Sequence, residues 1–535
     1  MFSRAALAAI MLAAAGLSTA AQAQIEADSM DDLNAWGQRY LSSNESEFPS
    51  SLWRNSDDDT LLLLLQSVRT SDLSPAERQL LRQTVLSPAT RPRGAQAEAL
   101  LAERARLMLE LGEARAAAAL VPHLKQDARG LDAETLAVDL DMASGQEATA
   151  CRQLAGPVKE GEYWLKLRAV CAILQDNYSG AQLAIEVAAA QGVSDSWMVE
   201  AIFAAAGDTP NPPNARFDSG LNIALSSKAA LDTSSITLAG DRPDLAAAAA
   251  QRPGVPTELR ARFAELASEV DLLAPETRRE ILLARFEDAD YAPATALEES
   301  LRDLNDPLVS DEQRSEGLAN VLQTAARADL RRYRSTAQLF LPDLQTLPQN
   351  DMTAQYAVDY ARAALMAGDR DTAQAWLSAL NIEGAPQPDP YEVAVLEAVD
   401  IIAGGDRSPA SLRAVEKRLI STATNTPREI QAVRIFTSWT GLGLPLSPIA
   451  RDYVSQAVDR GVRLSQGHMT SLKAAAQSNA IGETALMILV LTNGQASELA
   501  DSDLASLFAI LIDIDAEDVA QNLALETIGY WKAEE

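Results

Sequence analysis

The sequence predicts an all-α protein built from stacked antiparallel helical hairpins, and three observations support this fold class. Apolar residues recur at helical spacing along most of the chain, as at Leu504, Leu507, Phe508 and Leu511. Short connections between these stretches carry residues that begin and end helices. The chain is rich in Ala and Leu, and only 5% of its residues are aromatic, which favours helix over strand. Only residues 234–238 have a strand-like pattern.

Helix starts are marked by a capping residue, a proline and an acid. The capping side chain accepts a free backbone N–H, proline suits the first turn, and the acid complements the helix dipole. The full pattern occurs at residues 74–77, 389–392 and 426–429, and partial versions occur at Ser408 and Ser447. Glycines that end helices are Gly112, Gly192, Gly207, Gly368, Gly404 and Gly494.

Three windows, at residues 105–121, 169–185 and 361–377, share one pattern. Each has a small residue before a turn, a small residue after it, and an aliphatic residue four positions later. Small residues there let two antiparallel helices approach closely. The pattern resembles the tetratricopeptide hairpin, which stacks into a superhelix. The aromatic positions and the regular period of about 34 residues are missing. The resemblance therefore implies a degenerate tetratricopeptide-like α-solenoid and no specific ligand groove.

The first 23 residues have the pattern of a cleavable secretory signal. Arg4 precedes an apolar stretch at residues 5–17, and Ala21 and Ala23 form a cleavage motif before Gln24. The stretch is too short for a membrane span, which needs about 18 or more apolar residues. No Cys follows the cleavage site, which disfavours a lipid anchor. We expect export to the periplasm and no integral membrane span.

The remaining chain divides at proline-rich segments. Residues 207–256 contain two clusters of prolines that interrupt the helical pattern. We interpret this stretch as an irregular joint between an N-terminal helical-repeat half at residues 24–206 and a C-terminal half at residues 257–535. A linker between independent domains is the alternative, but no long Gly/Ser tract supports it.

The chain is strongly acidic. It carries 45 basic and 75 acidic residues, for a net charge of −30. Such a charge repels nucleic acid and anionic lipid surfaces. The acids are scattered along the chain, which is typical of a well-solvated surface; a face for a basic partner is the alternative.

Cys151 and Cys171 are the only cysteines. In an oxidising compartment such a pair is a candidate structural disulfide. In a simple antiparallel hairpin the two residues would lie at different positions along the helix axis. The connection between the helices must therefore extend along this axis for the sulfurs to meet. Two buried free thiols are the alternative.

Candidates for chemistry are few. His123 and His468 are the only histidines, and neither has a second His or a Cys three or four positions away. The acids at residues 513–518 superficially resemble a calcium loop but lack its Gly and distal Glu. Phosphate-binding loops, dinucleotide fingerprints and nucleophile elbows are absent. We therefore expect no catalytic, cofactor-binding or metal-binding residues, and no enzyme activity.

Several segments, read in order, resemble an uncharacterised family of exported Ala/Leu-rich helical-repeat proteins of alphaproteobacteria. These segments are residues 52–54, 86–88, 102–105, 111–113, 163–168, 482–486 and 520–527. Some members of that family carry an antifreeze glycopeptide label, but the flat arrays of Thr typical of ice-binding surfaces are not visible here. The resemblance implies an all-α exported protein and supplies no active-site residues.

The sequence thus favours an exported helical scaffold that binds another envelope protein or assembly through a concave face. The alternative is a glycan-binding or glycan-cleaving envelope enzyme on a helical scaffold. Such sites use aromatic platforms, whereas the seven tryptophans here fall mostly in helical stripes typical of packing residues.

Overall fold

The computed structural model describes residues 35–43, 45–120, 123–124, 133–156, 158–236, 242–288 and 290–532. The predicted signal peptide, with Ala21, Ala23 and Gln24 at its cleavage site, lies outside the described residues. Within them the fold is all-α, as predicted. No β-strand occurs in these ranges, where one isolated bridge joins Val462 and Leu499. The segment at residues 234–238 begins as a turn rather than a strand, and its last two residues are not described.

The helices follow one another with short connections. The first nine are α1 (Asp58–Ser67), α2 (Pro75–Leu86), α3 (Ala97–Glu110), α4 (Ala114–Leu120), α5 (Ala133–Ala143), α6 (Glu147–Arg152), α7 (Glu162–Leu174), α8 (Tyr178–Ala190) and α9 (Ser196–Ala205). The next nine are α10 (Gly220–Lys228), α11 (Pro243–Gln251), α12 (Thr257–Ser268), α13 (Pro275–Leu283), α14 (Ala296–Asn305), α15 (Asp311–Ala328), α16 (Leu330–Thr346), α17 (Asp351–Ala354) and α18 (Ala357–Met366). The last nine are α19 (Arg370–Ala379), α20 (Pro390–Ile402), α21 (Pro409–Thr422), α22 (Thr426–Gly441), α23 (Pro448–Gln456), α24 (Gln466–Gln477), α25 (Ile481–Thr492), α26 (Asp501–Asp513) and α27 (Glu517–Ile528).

The residues predicted to begin and end helices lie at or next to helix ends. Ser74 caps α2 in a capping box with Glu77, and Asp389 caps α20. At α22 the cap is Asn425, one residue before the predicted Thr426. All six glycines predicted to end helices have positive φ, the backbone conformation that glycine adopts most readily.

The three windows with small residues form helical hairpins. They are α3–α4, α7–α8 and α18–α19, and the helices of each pair pack against one another. The small residues at the interfaces are buried, namely Ala105, Ala117, Ala169, Ala181, Ala361 and Ala373. Close approach of the helices is therefore the reason for the pattern.

The buried residues form two cores. A small core lies between residues 138 and 231, and a large core joins residues 35–120 with residues 245–531 and also includes Ala143 and Ile223. The predicted boundaries at 206 and 256 do not coincide with these cores. The segment 207–256 is also less irregular than predicted, because α10 and α11 lie within it. Its prolines are accommodated before α10, at the start of α11 and between α11 and α12.

The chain closes on itself. Helix α2 packs against α25 and α27 near the other end of the chain, and α1 also packs against α25. All but two of the residues of α2 are buried, so every face of this helix is covered. Gly482 on α25 passes so close to Trp53 that an added Cβ would lie 2.6 Å from its ring. The sequence predicts a concave face that is free to bind a partner. Around α2 the chain itself covers the helix on all sides.

Both ends of α2 are matched by polar groups from elsewhere in the chain. At its start, the backbone N–H of Ala76 donates to Glu526 Oε1 of α27 at 2.7 Å. At its end, the fully buried Arg104 donates to the carbonyl oxygens of Val85 at 2.6 Å and Ser87 at 2.8 Å. A cation beside the last carbonyls of a helix is favourable because it complements the helix dipole.

Candidate functional site

The small core is cross-linked as predicted. Cys151 near the end of α6 and Cys171 in α7 form a disulfide with a Cα–Cα distance of 5.7 Å. Cys171 lies nine residues into α7, which is about 14 Å along the helix axis. A short 3₁₀ helix, Gln153–Ala155, follows α6 before the chain reaches the start of α7 at Glu162. The described part of the chain contains no free cysteine.

Helix α8 lies at the edge of the small core and is poorly covered. Its main packing partner is α7, and only Ala181 and Ala188 are buried. Leu183 is 61% exposed and Val187 is 41% exposed. These two residues lie four positions apart and therefore share one face of the helix. The result is an apolar outer face without a covering helix.

A groove of about 370 Å³ lies between α7, α8 and α9, where Ile185, Ala188 and Ala189 line it from the side of α8 opposite to Leu183 and Val187. Its walls are largely apolar, and its polar side chains are few. The apolar lining residues are Leu165, Ala169, Ile185, Ala188, Ala189, Val193, Met198 and Val199. Ligand sites commonly have this composition, an apolar concavity with a few polar groups.

The charges around the groove are predominantly negative. Lys166 is the only cation that lines it, and this side chain already pairs with Glu162 at 2.8 Å and Asp195 at 2.9 Å. These two acids raise the pKa of Lys166 despite its partial burial. Glu186 on α8 and Glu200 on α9 are exposed beside it. The groove therefore suits an apolar surface with basic flanks.

The sequence carries a signal for this surface. Helix α8 contains one charged residue, Glu186, in 13 positions. A helix that is apolar all round is normally buried. Here such a helix lies at an edge of the fold, where nothing in the described chain covers its outer face.

A second cavity, of about 420 Å³, lies between α12, α13, α15, α16 and the start of α14. One side of it is a completed polar network. Arg285 pairs with Glu298 and lies over the Tyr291 ring at 4.3 Å, while Glu298 also accepts from Tyr291 Oη at 2.8 Å. Desolvation and, to a smaller extent, the hydrogen bond to Glu298 raise the pKa of Tyr291 to about 12.

The histidines and acids considered in the sequence are not brought together. His468 is exposed at the start of α24, where its backbone N–H bonds to Ser465 Oγ, and His123 is half-buried just after α4. The acids near residues 513–518 lie where α26 ends and α27 begins, and Asp518 accepts from Ser46 at 2.9 Å. Among the described residues there is no cluster of three or more potential metal ligands.

The tryptophans are packing residues, as predicted. All seven are at most 8% exposed: Trp36, Trp53, Trp164, Trp197, Trp376, Trp439 and Trp531. Neither of the two cavities is lined by Trp or Tyr. Aromatic platforms for a sugar are thus missing from both.

Within the described ranges, none of the helices is both long enough and apolar enough to cross a bilayer. Comparison of the chain with protein-family models, characterised proteins and solved structures finds no match.

Proposed function

We propose that the protein is an exported scaffold that binds another envelope protein through the exposed apolar face of α8. Export is inferred from the signal pattern of the first 23 residues, and the disulfide is compatible with an oxidising compartment. The observation that carries the binding proposal is the uncovered apolar face containing Leu183 and Val187.

The exposed face of α8 favours one kind of partner, an amphipathic helix with basic residues beside its apolar face. A helix can place apolar side chains at positions i, i+3, i+4 and i+7 against an apolar surface of this type. A basic flank would meet Glu186, which lies on the same helix and has no basic partner among the described residues. Charge complementarity of this kind contributes to specificity and to the rate of association.

The proposal is tested by site-specific photo-cross-linking in the cell envelope. A photo-reactive residue at position 187 should capture a protein, and mapping of the cross-linked peptide should give an apolar and basic helical segment. The same residue at position 308 is the control, because Leu308 is 91% exposed on a different part of the surface.

Leu183→Glu should abolish the cross-link from position 187, because it places a charge in the apolar contact. It should change the free energy of unfolding by less than about 0.5 kcal/mol, since the side chain is exposed. Capture of glycan alone, or identical products from positions 187 and 308, would contradict the proposal.

A further inference from the structure

The second cavity contains a buried arginine whose charge is poorly compensated. Arg278 on α13 is only 3% exposed. Its Nη1 donates two long hydrogen bonds to Ser335, at 3.4 Å to the backbone oxygen and 3.3 Å to Oγ. Its Nε has no hydrogen-bond partner. No carboxylate in the described part of the chain lies within ion-pairing distance of this guanidinium.

Two other buried arginines have more complete sets of partners. Arg285, in the wall of the same cavity, pairs with Glu298. Arg104 has no acid partner, but three backbone carbonyl oxygens accept from its guanidinium. Burying a charge costs free energy unless partners replace the lost water. Arg278 therefore differs from Arg285 and Arg104 in lacking such a set of partners.

The lining of the cavity carries four arginines and three glutamates. Arg262 lies at the exposed side of the cavity and makes no ion pair with any described residue, whereas Arg332 pairs with Glu265 at 2.6 Å. Glu258 is the remaining acid in the lining. Glu269, outside the lining, also acts on Arg278 electrostatically, but neither it nor Glu265 pairs with this guanidinium directly.

The rest of the lining restricts the kind of anion. Ala261, Leu282, Leu297, Val321 and Ala325 form apolar walls. A volume of about 420 Å³ lies within the usual range of small-molecule sites, roughly 300–1,000 Å³. A single buried guanidinium with an incomplete set of partners favours an anion with one carboxylate, and apolar walls favour an organic body over an inorganic ion.

We propose that this cavity binds the carboxylate of a small organic acid with an apolar body. Arg278 binds the carboxylate inside the cavity, and Arg262 attracts it from the exposed side. A planar guanidinium suits a carboxylate because it can donate two parallel hydrogen bonds. The carboxylate could belong to a fatty acid or to the C-terminus of an apolar peptide.

Calorimetric titration of the whole protein tests the site with two matched pairs of probes. The first pair is octanoate and octanamide, and the second is N-acetyl-dileucine and its C-terminal amide. Saturable binding of one of the acids and not of its amide supports the proposal, and the acid that binds identifies the source. Equal binding of an acid and its amide, or no saturable binding of either acid, overturns it.

Variants locate the binding. Arg278→Met should weaken binding of the acid by about 30-fold or more, because the principal charged partner is lost. Arg262→Met should weaken it less, and Arg451→Met, at an exposed position on α23, should leave it unchanged.

Ala328→Trp, at an exposed position of the lining, should obstruct the cavity without removing a charge. Because residues 262 and 328 are exposed, these two variants retain the test if Arg278→Met fails to fold. Binding unaffected by all three changes in the lining would place the ligand elsewhere.

Discussion

The small core and the contact that closes the chain are stabilised by different means. In the small core a disulfide joins neighbouring helices, while most of α8 faces solvent. At the closing contact there is no covalent link. Helix α2 is instead covered on every face, and Glu526 and Arg104 match its two ends.

The difference follows from how much surface each region buries. A core of few residues gains little from apolar burial, and a cross-link compensates by restricting the unfolded chain. A helix buried on all sides gains much from burial, but each of its terminal polar groups then needs a partner. Removal of the disulfide should therefore destabilise the small core, and disruption of the long-range contacts should destabilise the closing contact.

The largest effect is expected at the closing contact. Gly482→Val would place side-chain atoms against the Trp53 ring, where the first added carbon already lies at 2.6 Å. We expect a loss of about 3 kcal/mol or more in the free energy of unfolding, since overpacking forces neighbouring groups apart. Chemical denaturation followed by tryptophan fluorescence measures it. Gly37→Val is the matched control because no atom lies within 4 Å of an added Cβ there. Equal losses in the two variants would refute the close contact.

The next effect concerns the small core. Replacing both Cys151 and Cys171 by Ala removes a cross-link between residues 20 positions apart, which should cost about 2 to 3 kcal/mol. Hydrogen exchange should become faster in α6 to α9 and stay unchanged in α2 and α25, because α2 and α25 belong to the large core. A uniform loss of protection along the chain would show instead that the two regions unfold together.

The smallest of the three effects is a pH dependence at the closing contact. The carboxylate of Glu526 is buried although its stem is partly exposed, and desolvation raises its pKa to about 7 from an ordinary value of 4.5. The folded protein therefore binds this proton more tightly than the unfolded chain does. The stabilising contribution is complete below about pH 4.5 and is lost as the pH rises through about 7.

Glu526→Gln tests this dependence directly. The variant keeps an acceptor for the N–H of Ala76 but cannot ionise. The difference in free energy of unfolding between the variant and the wild type should therefore be about 2 kcal/mol more favourable to the variant at pH 8 than at pH 5. Denaturation at both pH values measures the difference. Glu383→Gln, in an exposed loop, serves as the control. If Glu526→Gln keeps the pH dependence of the wild type, another group is responsible.

Local features of this fold were predictable from the sequence, and long-range ones were not. The cap at Ser74, the glycine stops and the small residues of the hairpins act within a few residues along the chain, so their patterns can be recognised directly. The contact of Gly482 with Trp53 and the bond from Ala76 to Glu526 join segments that no periodicity relates. The same holds for Arg278, which has an ordinary helical sequence context and becomes distinctive only when α16 and α12 surround it.

The burial of α2 also has a consequence for the order in which the protein can fold. Ala76 and its acceptor Glu526 lie 450 residues apart, so α2 is synthesised long before the helices that cover it. During synthesis its apolar faces have no native partner, and exposed apolar surface of this kind promotes aggregation of folding intermediates. Contacts with such large sequence separation also slow folding, because chain entropy is lost before they form. Helix α27 leaves the ribosome long after α2, and α2 reaches its native environment only when α27 has been made.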